Sequence, residues 1–456
     1  MPNQEERVIF IKNSLDEVLE KIPNSHKLRE RTRLKDKAID RISADDEGKE
    51  VTISGWVHAI RDIGALTFIT LRDTNGKIQV KLTQKSSEKI DREAAISIRG
   101  NVRKEPRSPS GLEIEASEVK ILGKVYEQTP IYGAMKDEPH INIRLDNRSL
   151  DLRRDKIRAV FKIRATLQTA FRQALLALNF VEISPSSITG STTEGGAQLF
   201  KIDYFDKPAF LAQSPQFYKQ LAVIGGLERV FITTPVFRAE KHEGPFHINE
   251  ILQMDIEMAF ATDSDAIDVL SSVFIYMLGK VKENNSDELK LLGVELNIPN
   301  EAKTVKYEDA VALLSAHGEK IRFGEDFSKE QEAKLCELTK HEAVIIRDYP
   351  TAVRAFYSMP YEENQKICKS YDLIYKGMEI CSGAQRIHTP DLLEKQIAAR
   401  DMSPTHFKSY IDAFKYGAPR HAGWSIGLDR LTMAVCGLKN IREAVMFPRD
   451  KQRLKP

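Results

Sequence analysis

The stretch "TTPVFRAEKHEGPFHINEILQMDIEMAF", residues 233–260, has the pattern of a strand, a loop and a second strand. Side chains alternate across a strand, so residues two apart share a face. Arg238 and Glu240 would therefore point the same way, and so would Asp255 and Glu257 on the return strand. The other face of the return strand is apolar, with Ile248, Leu252, Met254, Ile256, Met258 and Phe260. The pattern predicts a hairpin with one core face and one charged face.

A sheet with one solvated face would give the same alternation and is the more common arrangement. The segment "RVFITTPVF", residues 229–237, is however apolar on both faces, as in a strand from the middle of a sheet. Charges that continue such a strand favour a polar cavity above the sheet. Arg238 would suit a phosphate there, because its planar guanidinium can bond two oxygens at once. The polar loop "KHEGPFH" has the composition of a ligand cover.

Two later segments carry similar chemistry. "YKGMEICSGAQRIH", residues 375–388, sets Glu379, Ser382 and Arg386 around a strand and a turn. A carboxylate with a hydroxyl suits Mg²⁺ that also binds a phosphate, and Arg386 could clamp a carboxylate. "HAGWSIGLDRLTMAVCG" reads as a strand followed by a helix that Arg430 opens, although an arginine in that position is more often a surface residue.

Composition excludes several classes of protein. The 456 residues are 41% hydrophobic and 29% charged, which is typical of a globular protein with two or three domains. A net charge of +2 gives no general attraction to nucleic acid, so basic contacts must be local. The four cysteines lack metal or disulfide spacing, and no GxGxxG or P-loop is present. With no signal peptide and no membrane-length apolar run, we expect a cytoplasmic protein that does not contact membranes.

The amino-terminal part changes pattern twice. Residues 1–44 predict a basic helical leader, either a solvated helix or an arm that touches a phosphate backbone. Residues 45–125 hold five short strands separated by turn residues, the pattern of an OB-type barrel that binds single-stranded nucleic acid. Phe68 in the second strand would either stack on a base or belong to the barrel core.

The remaining chain is organised differently. Residues 126–150, with prolines and turn formers, predict a linker. Residues 151–456 then alternate helices with apolar strands, beginning with a helix of regular apolar spacing at 157–180.

Three of these segments together resemble the motifs of class II aminoacyl-tRNA synthetases, and among them the aspartyl-tRNA synthetases of the archaeal and eukaryotic type. They are the helix 157–180 with "FVEISP", the "FRAE" hairpin, and "GLDR" with its helix. The resemblance covers about residues 45–456. It implies an α+β fold, with an antiparallel sheet of six or seven strands flanked by helices and joined to an OB-fold anticodon-binding barrel. It also implies a homodimer with Pro185 in the interface.

The resemblance implies ATP-dependent aminoacylation of tRNA-Asp with L-aspartate through aspartyl-adenylate, with Mg²⁺. Arg238 would hold the α-phosphate, Glu240 the adenine amino group, and Arg430 the adenine or the γ-phosphate. These three functions belong to a larger implied ATP site of Arg238, Ala239, Glu240, Phe246, His247, Ile248, Glu379, Gly427, Leu428, Asp429 and Arg430. The implied magnesium ligands are Glu379 and Ser382. No side chain would act as a nucleophile, so positioning and charge neutralisation would carry the reaction.

The implied aspartate pocket consists of Glu194, Gln216, Phe217, Tyr218, Lys219, Arg238, Ser382 and Arg386. A substrate with two carboxylates requires two cations, which Lys219 and Arg386 would supply. Asparagine would leave one of them unpaired at a cost of roughly 3–5 kcal/mol, so Lys219 argues for aspartate. The loop 187–198 resembles the family's mobile lid over the amino acid.

The chain departs from the family at two places. Phe246 stands where an arginine usually precedes the histidine, so a phosphate contact is missing from that position. In the barrel the implied tRNA contacts are His58, Phe68 and Pro109. Relatives that charge only tRNA-Asp tend to have tryptophan in place of His58, whereas those that also charge tRNA-Asn tend to have histidine there and a proline at the position of Pro109.

We therefore predict a relaxed enzyme that also charges tRNA-Asn, which would require an Asp-tRNA-Asn amidotransferase partner. Two alternatives stay open. One is an asparaginyl-tRNA synthetase or a related amino-acid ligase, and the other is a non-catalytic nucleic-acid-binding paralogue.

Overall fold

A computed structural model describes residues 22, 32, 34–83, 88–132, 137–190, 199–240 and 244–455. The chain divides into two units between Arg154 and Asp155. Most of the predicted helical leader lies outside the described residues. The part that is described contains two short 3₁₀ turns, Ile39–Arg41 and Ala44–Asp46.

Five strands of the first unit form a closed barrel with the order β1-β2-β3-β5-β4. The strands are β1 (Glu50–Ile63), β2 (Leu66–Arg72), β3 (Lys77–Leu82), β4 (Ala95–Lys104) and β5 (Leu112–Gly123). Alternate side chains such as Ile53, Ile69, Val80 and Ile98 are fully buried in the barrel core. The period-2 pattern thus places one face of each strand inside, and the predicted OB barrel is confirmed.

Two short helices follow the barrel, α1 (Ile141–Asp146) and α2 (Arg148–Asp151), so part of the predicted linker is regular structure. Asp151 is fully buried, and its carboxylate accepts hydrogen bonds from Arg148 at 2.7 Å and from Arg154 at 3.1 Å. Arg144 approaches the same carboxylate at 3.3 Å. A buried charge must be paired, so these contacts fix the turn between the helices.

The second unit contains eleven described strands. They are β6 (Val181–Glu182), β7 (Ile188–Thr189), β8 (Lys201–Tyr204), β9 (Lys207–Leu211), β10 (Arg229–Phe237), β11 (Glu250–Ala259), β12 (Lys303–Lys306), β13 (Ala343–Arg347), β14 (Ser370–Tyr375), β15 (Met378–Gln385) and β16 (His421–Gly427). Eight of them form one sheet in the order β12-β13-β14-β15-β16-β11-β10-β6, and β7, β9 and β8 form a small separate sheet. The predicted six or seven antiparallel strands are corrected here, because the parallel pairs β6–β10 and β12–β13 extend the sheet at its two ends.

The helices of the second unit are α3 (Asp155–Ala177), α4 (Gln216–Ala222), α5 (Asp263–Asn284), α6 (Ser286–Leu292), α7 (Tyr307–Ala316), α8 (Lys329–Thr339), α9 (Pro390–Ala398), α10 (Lys408–Phe414), α11 (Leu428–Cys436) and α12 (Ile441–Ala444). Short 3₁₀ turns lie at Thr351–Val353 and Pro404–Phe407, and a π turn lies at Val223–Leu227. No helix of the described chain is both long and apolar enough to span a membrane.

The largest core lies between one face of the eight-stranded sheet and helices α3, α5 and α11. Phe171 of α3 packs edge-on against Phe231 and Trp424 of the sheet, with ring centroids 5.8 and 6.1 Å apart. The indole N–H of Trp424 donates to the carbonyl of Ala266 at 3.1 Å, so its one polar atom is satisfied. Since the helices cover this face, the polar side chains of the central strands point to the opposite face.

Candidate active site

A row of polar residues crosses four neighbouring strands on the face opposite the helices. Asp372 of β14 lies opposite Ser382 of β15, Ser382 opposite Ser425 of β16, and Ser425 opposite Asp255 of β11. Directly opposed residues in an antiparallel pair share a face, so these four side chains lie on the same face of the sheet. The charged side of the predicted hairpin is therefore the floor of a cavity, not a solvated face.

Glu379 joins this face because of a β-bulge. Leu373 pairs with Cys381 and Ile374 with Glu379, so Ile380 is an extra residue on β15. Strict alternation would place Glu379 and Ser382 on opposite faces. The bulge turns both Ile380 and Cys381 toward the core and leaves Glu379 on the cavity side.

The main cavity has a volume of about 510 Å³ and contains most of the charged residues that the sequence singled out. Lys219, Arg238, Ser382, Arg386, Glu379 and Gln216 all line it, together with Arg354, Arg400, Asp255 and Ser425. The structure thus brings together side chains from α4, the β10–β11 hairpin and β15. Glu194 and the rest of 191–198 lie outside the described residues.

Two buried ion pairs form the floor of the cavity. The amine of Lys219 lies 2.7 Å from Oδ1 of Asp255 and 3.6 Å from Oε2 of Glu257. Arg386 donates through Nε to Oε1 of Glu257 at 3.1 Å and through Nη2 to the carbonyl of Gly423 at 2.9 Å. Burial would raise the pKa of Glu257, but Arg386 and Lys219 hold it below the ordinary value of 4.5.

This network corrects the electrostatic argument for aspartate. Lys219 and Arg386 are not two unpaired cations, because Asp255 and Glu257 neutralise them in the structure. The alternation of the return strand predicts that the two carboxylates line the cavity, but it does not indicate that they pair with the cations. The group that stays available is Nη1 of Arg386, which has no hydrogen bond among the described residues.

Arg238 is the residue of this cavity that is best placed to bind an anion. Strand β10 ends at Phe237, so Arg238 and Glu240 lie beyond it and the expected strand alternation does not reach them. Hydrogen bonds with Asn249 hold the Arg238 backbone, from its N–H at 2.9 Å and to its carbonyl at 2.8 Å. Its side-chain Nε is buried and has no hydrogen-bond partner among the described residues. A buried, unpaired guanidinium nitrogen favours an anionic ligand.

Glu240 and His247 face a different cavity, of about 270 Å³, which Asn440, Arg442 and Lys451 also line. Ile248 lines it as well, but its side chain is only 2% exposed and packs against Met433 and Ile441. Residues 241–243 of the hairpin loop lie outside the described residues.

Two residues of the implied ATP site have side chains that face the protein interior. Leu428 is fully buried in the core. Asp429 accepts a hydrogen bond from the N–H of Leu252 at 2.9 Å and pairs with Arg164 at 2.5 Å, so its carboxylate faces α3. Burial raises its pKa above the ordinary value of 3.8. Leu428 and Asp429 can therefore offer a nucleotide only their backbone, and Gly427 has no side chain to offer.

Phe217 and Tyr218 lie beside a different cavity from that of Lys219. The Phe217 ring stacks on Tyr410 with centroids 4.1 Å apart, inside a separate apolar cluster. Both residues line a cavity of about 420 Å³ beside Thr189 and Gly190, and they do not line the cavity of Lys219. Their position two and one residues before Lys219 on the helix α4 rotates them away from it.

A fourth cavity, of about 260 Å³, adjoins Glu379, and its lining residues suit a magnesium ion. Arg430 donates to the carbonyl of Glu379 at 3.1 Å and to its Oε2 at 3.2 Å. Burial, and then the charge of Asp372, raise the pKa of Glu379 above 4.5 despite Arg430. Oδ1 of Asp372 is buried without a hydrogen-bond partner among the described residues. Two crowded carboxylates, one with an unsatisfied oxygen, favour a divalent cation.

Sequence reasoning missed Asp372 and Arg354. Asp372 pairs with Arg354, whose guanidinium lies 3.5 Å from the centre of the Tyr349 ring. A signal for Asp372 was present, since it is the one acid in the apolar strand "SYDLIY", whose six residues are all buried. Arg354 lies in an irregular segment where no periodicity could indicate its direction.

The barrel places the predicted tRNA contacts on its outer side. Phe68 alternates with the buried Ile69 and is half-exposed opposite Lys81, so it is not a core residue. His58 sits at a bulge of β1, with Nδ1 3.4 Å from Nη1 of Arg72. Pro109 is exposed in the turn before β5.

A comparison with protein families decides the assignment. The family described as "tRNA synthetases class II (D, K and N)" matches residues 140–451, and an "OB-fold nucleic acid binding domain" matches residues 51–122. The chain belongs to the class II tRNA synthetases. The fold class expected for this class II synthetase is thereby confirmed.

Similar proteins are consistent with this family. Proteins named "Aspartate--tRNA(Asp/Asn) ligase" from Methanocaldococcus jannaschii and Archaeoglobus fulgidus are 42% and 41% identical. In both cases 91% of this class II synthetase is covered, with 97% and 98% of the relative. The crystal structure of asparaginyl-tRNA synthetase from Pyrococcus horikoshii complexed with asparaginyl-adenylate matches with a TM-score of 0.88 at 29% identity, over 93% of this chain and 100% of that one.

Proposed function

We propose that this class II synthetase is an aspartate–tRNA ligase that forms aspartyl-adenylate from L-aspartate and ATP and transfers the aspartyl group to tRNA-Asp. The observation that carries the proposal is the cavity of about 510 Å³, in which Arg238, Arg386 and Lys219 converge with Glu379. Such a cavity can hold a phosphate and an amino-acid carboxylate beside each other. The names of the relatives that are 41–42% identical support the same substrate.

In the first step an oxygen of the aspartate α-carboxylate bonds to the α-phosphorus, and the bond from that phosphorus to the pyrophosphate oxygen breaks. Arg238, with its unpaired Nε, would neutralise the charge that develops on the α-phosphate. Nη1 of Arg386 would donate to the β-carboxylate, while Glu257 fixes the guanidinium from behind. The buried pairs hold both groups in place before the substrate arrives, so little reorganisation is needed.

Magnesium would be held by Glu379 and Asp372, with Ser382 opposite Asp372 in the sheet. When bound, the ion would neutralise phosphate charge and orient the triphosphate. The described residues contain no group of three or more metal-ligating side chains. That agrees with Mg²⁺, which usually takes one or two carboxylates and completes its shell with water and phosphate.

Exchange of labelled pyrophosphate into ATP tests the amino acid. We expect exchange with L-aspartate at a kcat/KM at least tenfold above that with L-asparagine, because asparagine would lose the charge-assisted hydrogen bond from Nη1 of Arg386, which is worth about 1.5–3 kcal/mol. Equal exchange with both amino acids, or exchange with asparagine alone, would contradict the proposal.

Asparagine activation is the second candidate, and one observation favours it. Asp255 and Glu257 neutralise Lys219 and Arg386, so the pocket does not require a second negative charge in the substrate. The exchange assay separates the two candidates directly. A non-catalytic binding role is not favoured, because the residues proposed to bind phosphate, magnesium and the amino acid all lie on the same face of the sheet.

We propose further that the enzyme charges tRNA-Asn as well. The support is His58, which is half-buried and leaves the barrel surface without the bulk of a tryptophan. A His58→Trp variant should lower aspartylation of tRNA-Asn at least tenfold and change tRNA-Asp charging less than threefold, the range of one discriminating base contact. Wild-type enzyme that does not charge purified tRNA-Asn would refute this proposal and leave aspartate activation intact.

The remaining proposals concern the cellular setting. A relaxed enzyme would work with an Asp-tRNA-Asn amidotransferase in the cytoplasm. A homodimer is supported by exposed apolar side chains at the end of α3 and on the edge strand β6, where Leu176 is 52% and Val181 47% exposed. Sedimentation of the purified protein tests the dimer.

A further inference from the structure

Helix α8 places a cation, which belongs to none of the three motifs, in the cavity of about 260 Å³. Lys329 is the first residue of α8, and Ser328 caps the helix through a reciprocal capping box with Gln331. The side chain of Lys329 lines the cavity of about 260 Å³ together with Arg430, Glu379 and Asp372. The backbone of Lys329 is therefore fixed at the edge of the proposed triphosphate site.

The Lys329 amine rests on an aromatic ring. Nζ lies 3.4 Å from the centroid of Phe246, on the loop between β10 and β11. Phe246 packs in turn against the apolar cluster of Ile248, Met433 and Ile441, which fixes the ring. A cation over a fixed ring face is positioned with little freedom, because the ring quadrupole attracts it.

Lys329 forms no ion pair with a carboxylate among the described residues. The pKa of Lys329 is lowered to about 8, first by burial and then by the charge of Arg430. Arg430 itself is paired with Glu379, and Arg354 with Asp372. Of the three cations that line this cavity, Lys329 is thus the one whose charge is not compensated by an ion pair within the described chain.

The acids that face the same cavity have other partners or positions. Glu332 accepts a hydrogen bond from the N–H of Glu379 at 2.8 Å, and Asp326 is exposed. Glu379 and Asp372 are the proposed magnesium ligands. With a magnesium ion bound, the cavity would carry a positive surplus that an anion of several charges could neutralise.

We propose that Lys329, held over Phe246, binds the terminal phosphates of ATP and stabilises the departing pyrophosphate. Lys329 and Phe246 together would supply the cation that a phenylalanine in this loop cannot supply itself. When the bond between the α-phosphorus and the bridging oxygen breaks, its electron pair stays on the pyrophosphate, and the ammonium offsets that charge without transferring a proton. The inference rests on the proposed function, since it assigns a position to the ATP of that reaction.

Binding of two magnesium complexes and of AMP tests the inference without any amino acid. We expect Lys329→Met to weaken MgATP and magnesium pyrophosphate binding by about tenfold or more, the value of one charge-assisted hydrogen bond. Binding of AMP should change less than twofold, because AMP lacks the terminal phosphates. Lys334→Met is the matched control, as Lys334 lies on the same helix and, among the described residues, forms an ion pair with Glu337 alone. Titration calorimetry measures all the affinities.

Rescue separates a direct contact from a structural effect. Lys329→Arg should keep at least a third of the MgATP affinity, and Phe246→Arg in the Lys329→Met background should restore most of the loss by placing a guanidinium on the same loop. Equal ATP affinity in wild type and Lys329→Met would overturn the inference, as would parallel losses for ATP and AMP. The assay does not depend on aspartate, so a failure of aspartate activation would count against the proposed function alone.

Discussion

The amine of Lys219 lies 2.7 Å from Oδ1 of Asp255, and each side chain exposes only 1% of its surface. Ser425 donates to the second oxygen of Asp255 at 3.0 Å, so both carboxylate oxygens are satisfied. Buried ion pairs of this kind cost desolvation when they form, and they cost more when one partner is removed. The proposed amino-acid pocket is thus built on a pair whose members depend on each other.

The Lys219→Met variant should lose both stability and aspartate activation. Asp255 would be left buried without its cation, which is expected to lower the free energy of unfolding by about 3–5 kcal/mol. The double variant Lys219→Met with Asp255→Asn should recover at least half of that loss, because no charge is stranded. Urea unfolding followed by tryptophan fluorescence measures the stabilities. A single variant as stable as wild type would contradict the ion pair.

Stability should depend on pH through Glu257. The pKa of its carboxyl in the folded protein lies below the ordinary 4.5, against the effect of burial, because of Arg386 and Lys219. The stabilising contribution of the ionised group is therefore fully present above about pH 4.5 and is lost as the pH falls through the lowered value.

The Glu257→Gln variant should have a lower Tm than wild type at pH 7, and its Tm should fall less between pH 5 and 3.5. Scanning calorimetry of both proteins over this range gives the comparison. Asp268→Asn is a suitable control, because Asp268 is exposed on α5 and forms no ion pair among the described residues. Parallel pH profiles for wild type and Glu257→Gln would argue against the depressed pKa.

Replacement of Asp372 by asparagine should weaken the binding of magnesium. Oδ1 of Asp372 has no hydrogen-bond partner among the described residues, so the ion would satisfy it. We expect the half-saturating Mg²⁺ concentration in ATP–pyrophosphate exchange to rise by about 10–100-fold or more, since loss of a residue that only supports a metal ligand already costs that much. Asp326→Asn, at the exposed rim of the same cavity, serves as the control. An unchanged Mg²⁺ requirement would remove Asp372 from the site.

The Phe68→Ala variant should weaken the binding of tRNA and leave amino-acid activation unchanged. Stacking of a base on an exposed aromatic is worth about 1–3 kcal/mol, so the KM for tRNA-Asp should rise about tenfold. Exchange of pyrophosphate, which needs no tRNA, should stay within twofold of wild type. Tyr126→Ala tests specificity, since Tyr126 is 89% exposed in the same unit. Equal tRNA affinity in wild type and Phe68→Ala would assign Phe68 to the barrel surface only.

Strong periodicity made the fold predictable. The barrel strands alternate so regularly that five of them could be placed from the sequence. The apolar segment 229–237 became strand β10, which is the second strand from the β6 end of the sheet and not a central one. The short strands β6 and β12 could not be predicted, because two and four residues carry no usable period. These strands are also the ones that make the sheet mixed.

The site was predictable where charged residues interrupt apolar strands. Arg238, Glu379 and Arg386 stand out for that reason, and they line one cavity. Partners could not be predicted in the same way. Asp255 and Glu257 were recognised as charged lining but not as the counterions of Lys219 and Arg386, since pairing is decided by packing between α4 and the sheet. Lys329 reaches the site from a helix with no motif at all.

The extra residue at Ile380 has a consequence for anyone who transfers this site to another scaffold. Glu379 and Ser382 are three apart along the chain but occupy the spacing of two along the sheet. A designer who copied the same letters onto a regular ladder would send the carboxylate into the hydrophobic interior. The irregular backbone has to be grafted along with the side chains.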